Sequence, residues 1–328
     1  INGGKVSSPI IKIPNYPITE VFQKYNGTEV AHQVDFDQSL YFCPETNHAF
    51  LGNHLPQDFI YGGEHYNTSS AGSQGSMIAI NNFYAFIAKN IGKSFNNIVD
   101  IGANDATLLR MFEKTGAKLT GIDPNIKSDS KNITAINDYL ENVNLEEFLP
   151  PKEQNIILCS HTLEHIYDPD VFFEIISDNT TDDDKLFFQF PSLELLIEDS
   201  RFDQIHHQHI NYYSLQSVST LIAKYGFEVL DYYFDNDHYG ALMIYFKKSK
   251  DISSPKKDNN FPTENEIILK YENFLMDMKV TNSRLADLKG DFYCFGASLM
   301  LPILSYYLPE MHNCKAIIDD DNSKHGLS

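Results

Sequence analysis

At 328 residues the chain exceeds one ordinary domain and has length for two or three, and 42% hydrophobic with 13% aromatic residues is the composition of a globular protein with a real core. Its 45 acidic against 25 basic side chains, a formal net charge of −20, argue against a nucleic-acid partner, because phosphate binding rests on Lys and Arg. No run approaches the roughly 18 apolar residues of a membrane span, the first residues lack a signal-peptide core, and the four cysteines at 43, 159, 294 and 314 form no CxxC pair, so a cytoplasmic protein with reduced thiols is expected.

Residues 1–70 carry Pro9, Pro14, Pro17, Pro44 and Pro56 among several glycines, which fits short strands and turns. From 74 to 90 the apolar residues Met77, Ile80, Phe83, Tyr84 and Ile87 recur at helical spacing. Short apolar runs then alternate with helical stretches: strands at 97–101, 118–122, 155–159 and 184–190, helices at 107–115 and 169–177. This alternation predicts a doubly wound α/β domain with a mostly parallel sheet, whose ligands bind beyond the carboxyl ends of the strands. A helix at 215–225 and paired strands at 226–233 and 240–246 close that sheet. The polar run 247–260 reads as a linker, followed by a helix from 264 to about 288 and strands at 291–297 and 315–320, half of another α/β unit that is expected to be incomplete. Three parts follow from this: a small irregular N-terminal domain, 1–73; a central domain, 74–249; and a C-terminal α/β domain, 250–328.

The segment VDIGAND, 99–105, ends one strand and opens a helix, and Gly102 lets backbone approach a ligand closely. GIDP follows at 121–124, placing Asp123 where an acid accepts the hydroxyls of a ribose. One well-placed glycine rather than GxGxxG, with Asp100 and Asp105 repelling a pyrophosphate, favours S-adenosylmethionine over a dinucleotide. The expected cofactor set is Asp100, Gly102, Ala103, Asn104, Asp105, Asp123, Pro124, Asn137, Ser160 and His161. The last two open SHTLEHIYDP, 160–169, whose His161 and His165 have the i, i+4 spacing of a metal pair. With no third ligand close in sequence, no metal is expected there. A second histidine run, FDQIHHQHINYYS at 202–214, places three histidines in four residues, and histidine is the side chain best suited to take a proton near neutral pH.

In the order DIGANDATLL, GIDP, SHTLEHIYDP, FDQIHHQHINYYSLQSVSTLIAKYGFEVLD, FGAS and IIDDDNSKHG the chain resembles the sugar C-methyltransferases that act on nucleotide-linked 4-keto-6-deoxyhexoses. The resemblance implies a class I S-adenosylmethionine methyltransferase, with a Rossmann-like doubly wound sheet, between an N-terminal zinc-binding domain and a C-terminal Rossmann-like domain. It implies a nucleotide-sugar substrate and a base at His209, with His206, His207 and Gln208 near the enolate and Tyr66 reaching the same pocket. Where the family has a glutamate this chain has Gln208, and restoring Glu there is expected to be tolerated or to raise the rate. His238 and Tyr239 stand where the family has His-Gly, and no Lys follows Gly296-Ala297. Only Cys43, with His48 beside a later ligand position, remains of the zinc set, too few for a closed tetrahedral site, so the N-terminal domain is expected to be a degenerate zinc domain. Two alternatives stay open: O- or N-methylation of a nucleotide sugar, and a catalytically inactive protein with the same fold.

Overall fold

A computed structural model of the chain describes residues 6, 8–19, 35–56, 59–60, 73–92, 94–237, 240–252, 257–298, 300–320 and 326. The N-terminal strands are β1 (Ile11–Pro17), β2 (Asp35–Cys43) and β3 (His48–Leu51). Helix α1 (Gln74–Asn90) starts at Ser73, whose side chain accepts from the Ser76 N–H, and buries Ala79, Ile80, Phe83, Phe86 and Ile87. The alternating portion then runs β4 (Asn97–Ile101), α2 (Thr107–Arg110), β5 (Lys118–Ile122), β6 (Ile133–Ile136), β7 (Asn155–Ser160), α3 (Pro169–Asp178), β8 (Lys185–Pro191) and α4 (Leu193–Glu198). After it come β9 (Asn211–Tyr212), α5 (Leu215–Ala223), β10 (Phe227–Asp235) and β11 (Ala241–Lys248). The C-terminal part holds α6 (Glu264–Ala286), β12 (Cys294–Phe295), α7 (Leu301–Tyr307) and β13 (Ile317–Ile318).

Seven strands form the central sheet in the order β10-β11-β8-β7-β4-β5-β6. β4 through β8 are mutually parallel, while β11 is antiparallel to both β8 and β10. That order, with one reversed strand inside the edge, is the class I methyltransferase fold expected from the sequence. Because helices cover both faces, β4, β7 and β8 are buried along nearly their whole length rather than on alternate residues. One face packs Phe172, Phe173, Phe188 and Phe246; the other packs Phe83, Ile87, Leu109 and Phe187.

Several expectations are corrected in detail. The helix expected over 107–115 is one α-helical turn followed by a separate 3-10 turn at Glu113–Thr115, because Gly116 turns the chain back towards β5 with φ +83°. The short strand β6 and helix α4 were not predicted. Neither was β9, which adds to the N-terminal strands to make an antiparallel sheet ordered β1-β2-β3-β9. That sheet packs Ile13, Tyr16 and Phe42 in one core with Leu196 of α4, Tyr271 and Phe274 of α6 and Ile303 of α7. The histidine loop is thereby clamped between the central sheet and the N-terminal strands. Among the described residues no helix is long and apolar enough to cross a membrane.

Candidate active site

Four backbone positions with left-handed φ gather where β4 and β7 end: Gly102 (+78°), Asn104 (+47°), Ala106 (+57°) and His161 (+50°). Such conformations are costly for residues with a Cβ and recur where a turn is shaped for a ligand. Gly102 is held by its N–H on the Ile122 carbonyl, 2.8 Å, and a Cβ there would stand 1.9 Å from Thr162 Oγ1. The glycine therefore brings the turn after β4 against the turn after β7.

Asp123 ends β5 as expected. Its Oδ2 accepts from the Asn104 N–H at 3.1 Å and its Oδ1 from the Asn125 N–H at 2.7 Å, which fixes the carboxylate while each oxygen keeps a second lone pair. Burial lifts its pKa, and those two backbone donors oppose the lift. Asp105 caps its own turn through the Thr107 N–H, 3.0 Å. Asp100 is fully buried, its Oδ1 has no hydrogen-bond partner, and burial, then the charges of Asp123 and Asp105, push its pKa up to about 7. Three acidic side chains gathered beside a close-approach glycine suit a ligand with a cationic sulfonium and ammonium. Ala103 is buried in the same turn and Pro124 follows Asp123, while Asn137 bonds the Ile126 carbonyl at 3.3 Å and Ser160 Oγ accepts from Gln189 at 2.7 Å.

The histidine run lies against the same end of the sheet. His207 uses both ring nitrogens: Nε2 donates to the Tyr16 carbonyl, 3.0 Å, and Nδ1 accepts from Gln38 Nε2, 3.0 Å. Gln208 is equally engaged, its Nε2 donating to the Thr19 carbonyl at 2.7 Å and its Oε1 accepting from His206 Nδ1 at 3.0 Å. These three side chains are buried and tie the loop to the N-terminal strands. His207 and Gln208, expected near the enolate, thus spend their ring nitrogens and amide on the N-terminal segment. The same contacts argue against a carboxylate at 208, one oxygen of which would face the Thr19 carbonyl.

His209 differs. Its Nδ1 is buried with no partner, its ring centroid lies 3.9 Å from that of His206 in a tilted pair and 4.9 Å from that of His165 in an edge-on pair, and its Nε2 is 4.0 Å from Glu164 Oε1. Burial, then the neighbouring His206, His165 and His161, hold it well below the ordinary histidine pKa, so its resting ring is neutral. Burial likewise lowers His206 to about 4.

Glu164 was quoted within its motif but given no role by the sequence reading. It is 1% exposed, and neither carboxylate oxygen has a hydrogen-bond partner. The chain places His161 Nδ1 at 3.4 Å and His165 Nε2 at 3.9 Å from the same oxygen that faces His209. A backbone bond from the Ile210 N–H to the Glu164 carbonyl, 2.9 Å, pins the two segments together. The third imidazole that faces Glu164, His209, thus comes from 44 residues beyond His165, which spacing alone does not reveal. Cys43 and His48 face each other across β2 and β3, but His48 bonds Asn211, 3.3 Å. Tyr66, His238 and Tyr239 lie outside the described residues.

Residues 78–232 match the family described as "Methyltransferase domain". With the strand order above, this segment has the fold of the class I S-adenosylmethionine-dependent methyltransferases. A curated relative, the C-methyltransferase NovU of Streptomyces niveus, is 24% identical over 197 residues, 58% of this chain and 46% of the relative, so the chain spans about half the length of that protein. Among solved structures, a 1,6-didemethyltoxoflavin-N1-methyltransferase of Burkholderia thailandensis is 11% identical with a TM-score of 0.44, covering 67% of this chain and 99% of that one. A magnesium protoporphyrin IX methyltransferase of Synechocystis PCC 6803 is 14% identical with a TM-score of 0.40, covering 53% and 84%. At those scores neither adds to what the topology says.

Proposed function

We propose that this chain methylates a carbon, at C3 of a nucleotide-linked 4-keto-6-deoxy sugar, with His209 as the base. The observation that carries this reading is that the cofactor turn and the histidine cluster share one sheet end, joined through 160–165, where Thr162 meets Gly102 and Glu164 and His165 meet His209. Similarity to a protein described as a C-methyltransferase supports the choice of carbon.

Carbon beside a ketone becomes nucleophilic only when its proton is removed, so a neutral, partly shielded imidazole facing a carboxylate is the group this chemistry needs. When bound, the cofactor supplies an electrophilic methyl group. Asp123 would hold its ribose hydroxyls, Asp100 and Asp105 would face its cationic end, and the left-handed turn at Gly102 leaves its backbone open to close approach. His206, His207 and Gln208 fix the loop so that His209 presents its ring in one orientation, which is the positioning part of the rate.

Proton removal can be followed apart from methyl transfer. A 4-keto nucleotide sugar incubated in D₂O with the protein and S-adenosylhomocysteine should exchange its C3 proton, and His209→Asn should slow exchange by about 10²–10⁴. Methyl transfer to oxygen or nitrogen without C3 exchange, read by mass and NMR analysis of the product, would remove the carbon reading.

A further inference from the structure

The loop that carries His209 brings no carboxylate to it: the acid position beside it is Gln208, whose amide is consumed in bracing, and Asp203 at the start of the run is paired with Arg201 at 2.8 Å. A buried histidine surrounded by other imidazoles takes a proton reluctantly, because its cation is both desolvated and repelled. Among the described residues, Glu164 is the acidic side chain that faces it, with Oε1 4.0 Å from His209 Nε2. It arrives from the turn after β7, fully buried, with Oε1 turned towards His161, His165 and His209. The other titratable groups whose charges bear on it are Cys159, Tyr212, Tyr213 and His206, each of which burial keeps uncharged. His165 donates from Nδ1 to the Gln208 carbonyl, 2.9 Å, which turns its Nε2 to the carboxylate.

We propose, resting on the carbon-methylation reading, that Glu164 is the positioning residue of the base: its carboxylate is the counter-charge for the imidazolium that forms when His209 takes the C3 proton. In that step the C3–H bond breaks, its electron pair enters the enolate whose oxygen was the C4 ketone, and the proton bonds to His209 Nε2. A carboxylate and a neutral ring become a carboxylate–imidazolium pair, and the charge gained at the ring balances the charge gained by the enolate. The same side chains could instead hold a divalent cation. Ligand atoms about 2.1 Å from a shared ion lie roughly 3.0–3.5 Å apart, and the 3.9 and 4.0 Å separations from Glu164 to His165 and His209 are wider.

Glu164→Gln keeps the volume and removes the charge. In the substrate-free protein, the ring resonances of His209 followed by NMR should titrate at lower pH in Glu164→Gln than in wild type. In the exchange assay the variant should lose about 10- to 100-fold, move its pH profile to lower pH and keep its affinity for S-adenosylhomocysteine, with Glu164→Asp recovering part of the rate. Unchanged ring titration in the folded variant overturns the proposal whatever the substrate is. Shifted titration with no C3 exchange in wild type overturns the carbon-methylation reading alone. Stoichiometric Zn²⁺ in purified wild type that is absent from Glu164→Gln would also overturn it, in favour of a metal site.

Discussion

Asp100→Asn isolates the least comfortable group of the cofactor turn. Asp100 is 2% exposed, and burial, with Asp123 and Asp105 adding repulsion, moves its pKa from 3.8 to about 7. A carboxyl whose folded pKa lies above its unfolded one keeps a proton that the unfolded chain has released, so stability falls as pH rises through the window from about 4 to 7. Roughly three units at 1.36 kcal/mol each is about 4 kcal/mol lost by pH 8, and water reaching the site would reduce this to about 2–4 kcal/mol. The Asn side chain has the same shape and stays neutral. In urea unfolding followed by circular dichroism, Asp100→Asn should match wild type near pH 4, gain on it by about 1.4 kcal/mol per pH unit, and hold a constant advantage above pH 7. Titrating groups that do not interact with Asp100 cancel in the difference. A difference that does not vary with pH would refute the assignment of a shared acidic strain to this turn. A second readout follows from the same sign: a cationic cofactor lowers the Asp100 pKa again, so binding at pH 7 should release protons, seen as a buffer-dependent heat in calorimetry.

Gly102→Ala combines φ +78° with a Cβ 1.9 Å from Thr162 Oγ1; a left-handed alanine costs about 1–2 kcal/mol before any clash, and cofactor affinity should fall at least tenfold by calorimetry, with Thr162→Gly recovering part of it. Asp123→Ala should lose about 1.5–3 kcal/mol of cofactor affinity, and unchanged affinity would take Asp123 out of the site. His207→Ala removes two buried hydrogen bonds and should cost about 2–4 kcal/mol of stability while leaving cofactor affinity near wild type; lost exchange at unchanged stability would instead place His207 in the chemistry.

The parallel strands were legible because each is a short run of apolar residues closed by a turn, and that pattern survives wherever both faces of a sheet are covered. β6 was not, since its ITAI is half exposed at the sheet edge and carries little pattern. β9 is two residues long and exists only because Phe50 and Ala49 offer an edge to pair with, which is tertiary information. The cofactor turn was readable from Gly102 and Asp123 because their spacing follows from strand and helix lengths. In the histidine run the composition announced acid-base chemistry, but nothing local separated His207, whose two nitrogens are consumed by β1 and β2, from His209, whose Nδ1 has no partner. Glu164 escaped for the same reason: between two histidines of a familiar spacing it reads as a solvated residue, and only the fold buries it.

Gln208 shows how far a family pattern can mislead when read without its surroundings. A glutamate beside a catalytic histidine raises its basicity, so restoring it looks favourable. Here the Gln208 amide nitrogen is 2.7 Å from the Thr19 carbonyl and its oxygen accepts from His206. In Gln208→Glu an ionised carboxylate satisfies His206 but sets one oxygen against another, inside a site that is 1% exposed. Relief comes only if the new carboxyl keeps its proton and donates it to Thr19, which raises its pKa above that of the unfolded chain. By the sign of that shift the variant should unfold at near wild-type urea concentration around pH 4 and lose about 1–3 kcal/mol by pH 8. Exchange at C3 should fall in parallel, because the contact with Thr19, just after β1, that orients the loop is weakened. If Gln208→Glu is instead as stable as wild type at pH 8 and exchanges faster, the amide is no brace, and the carboxylate of this active site belongs on the histidine loop rather than at Glu164.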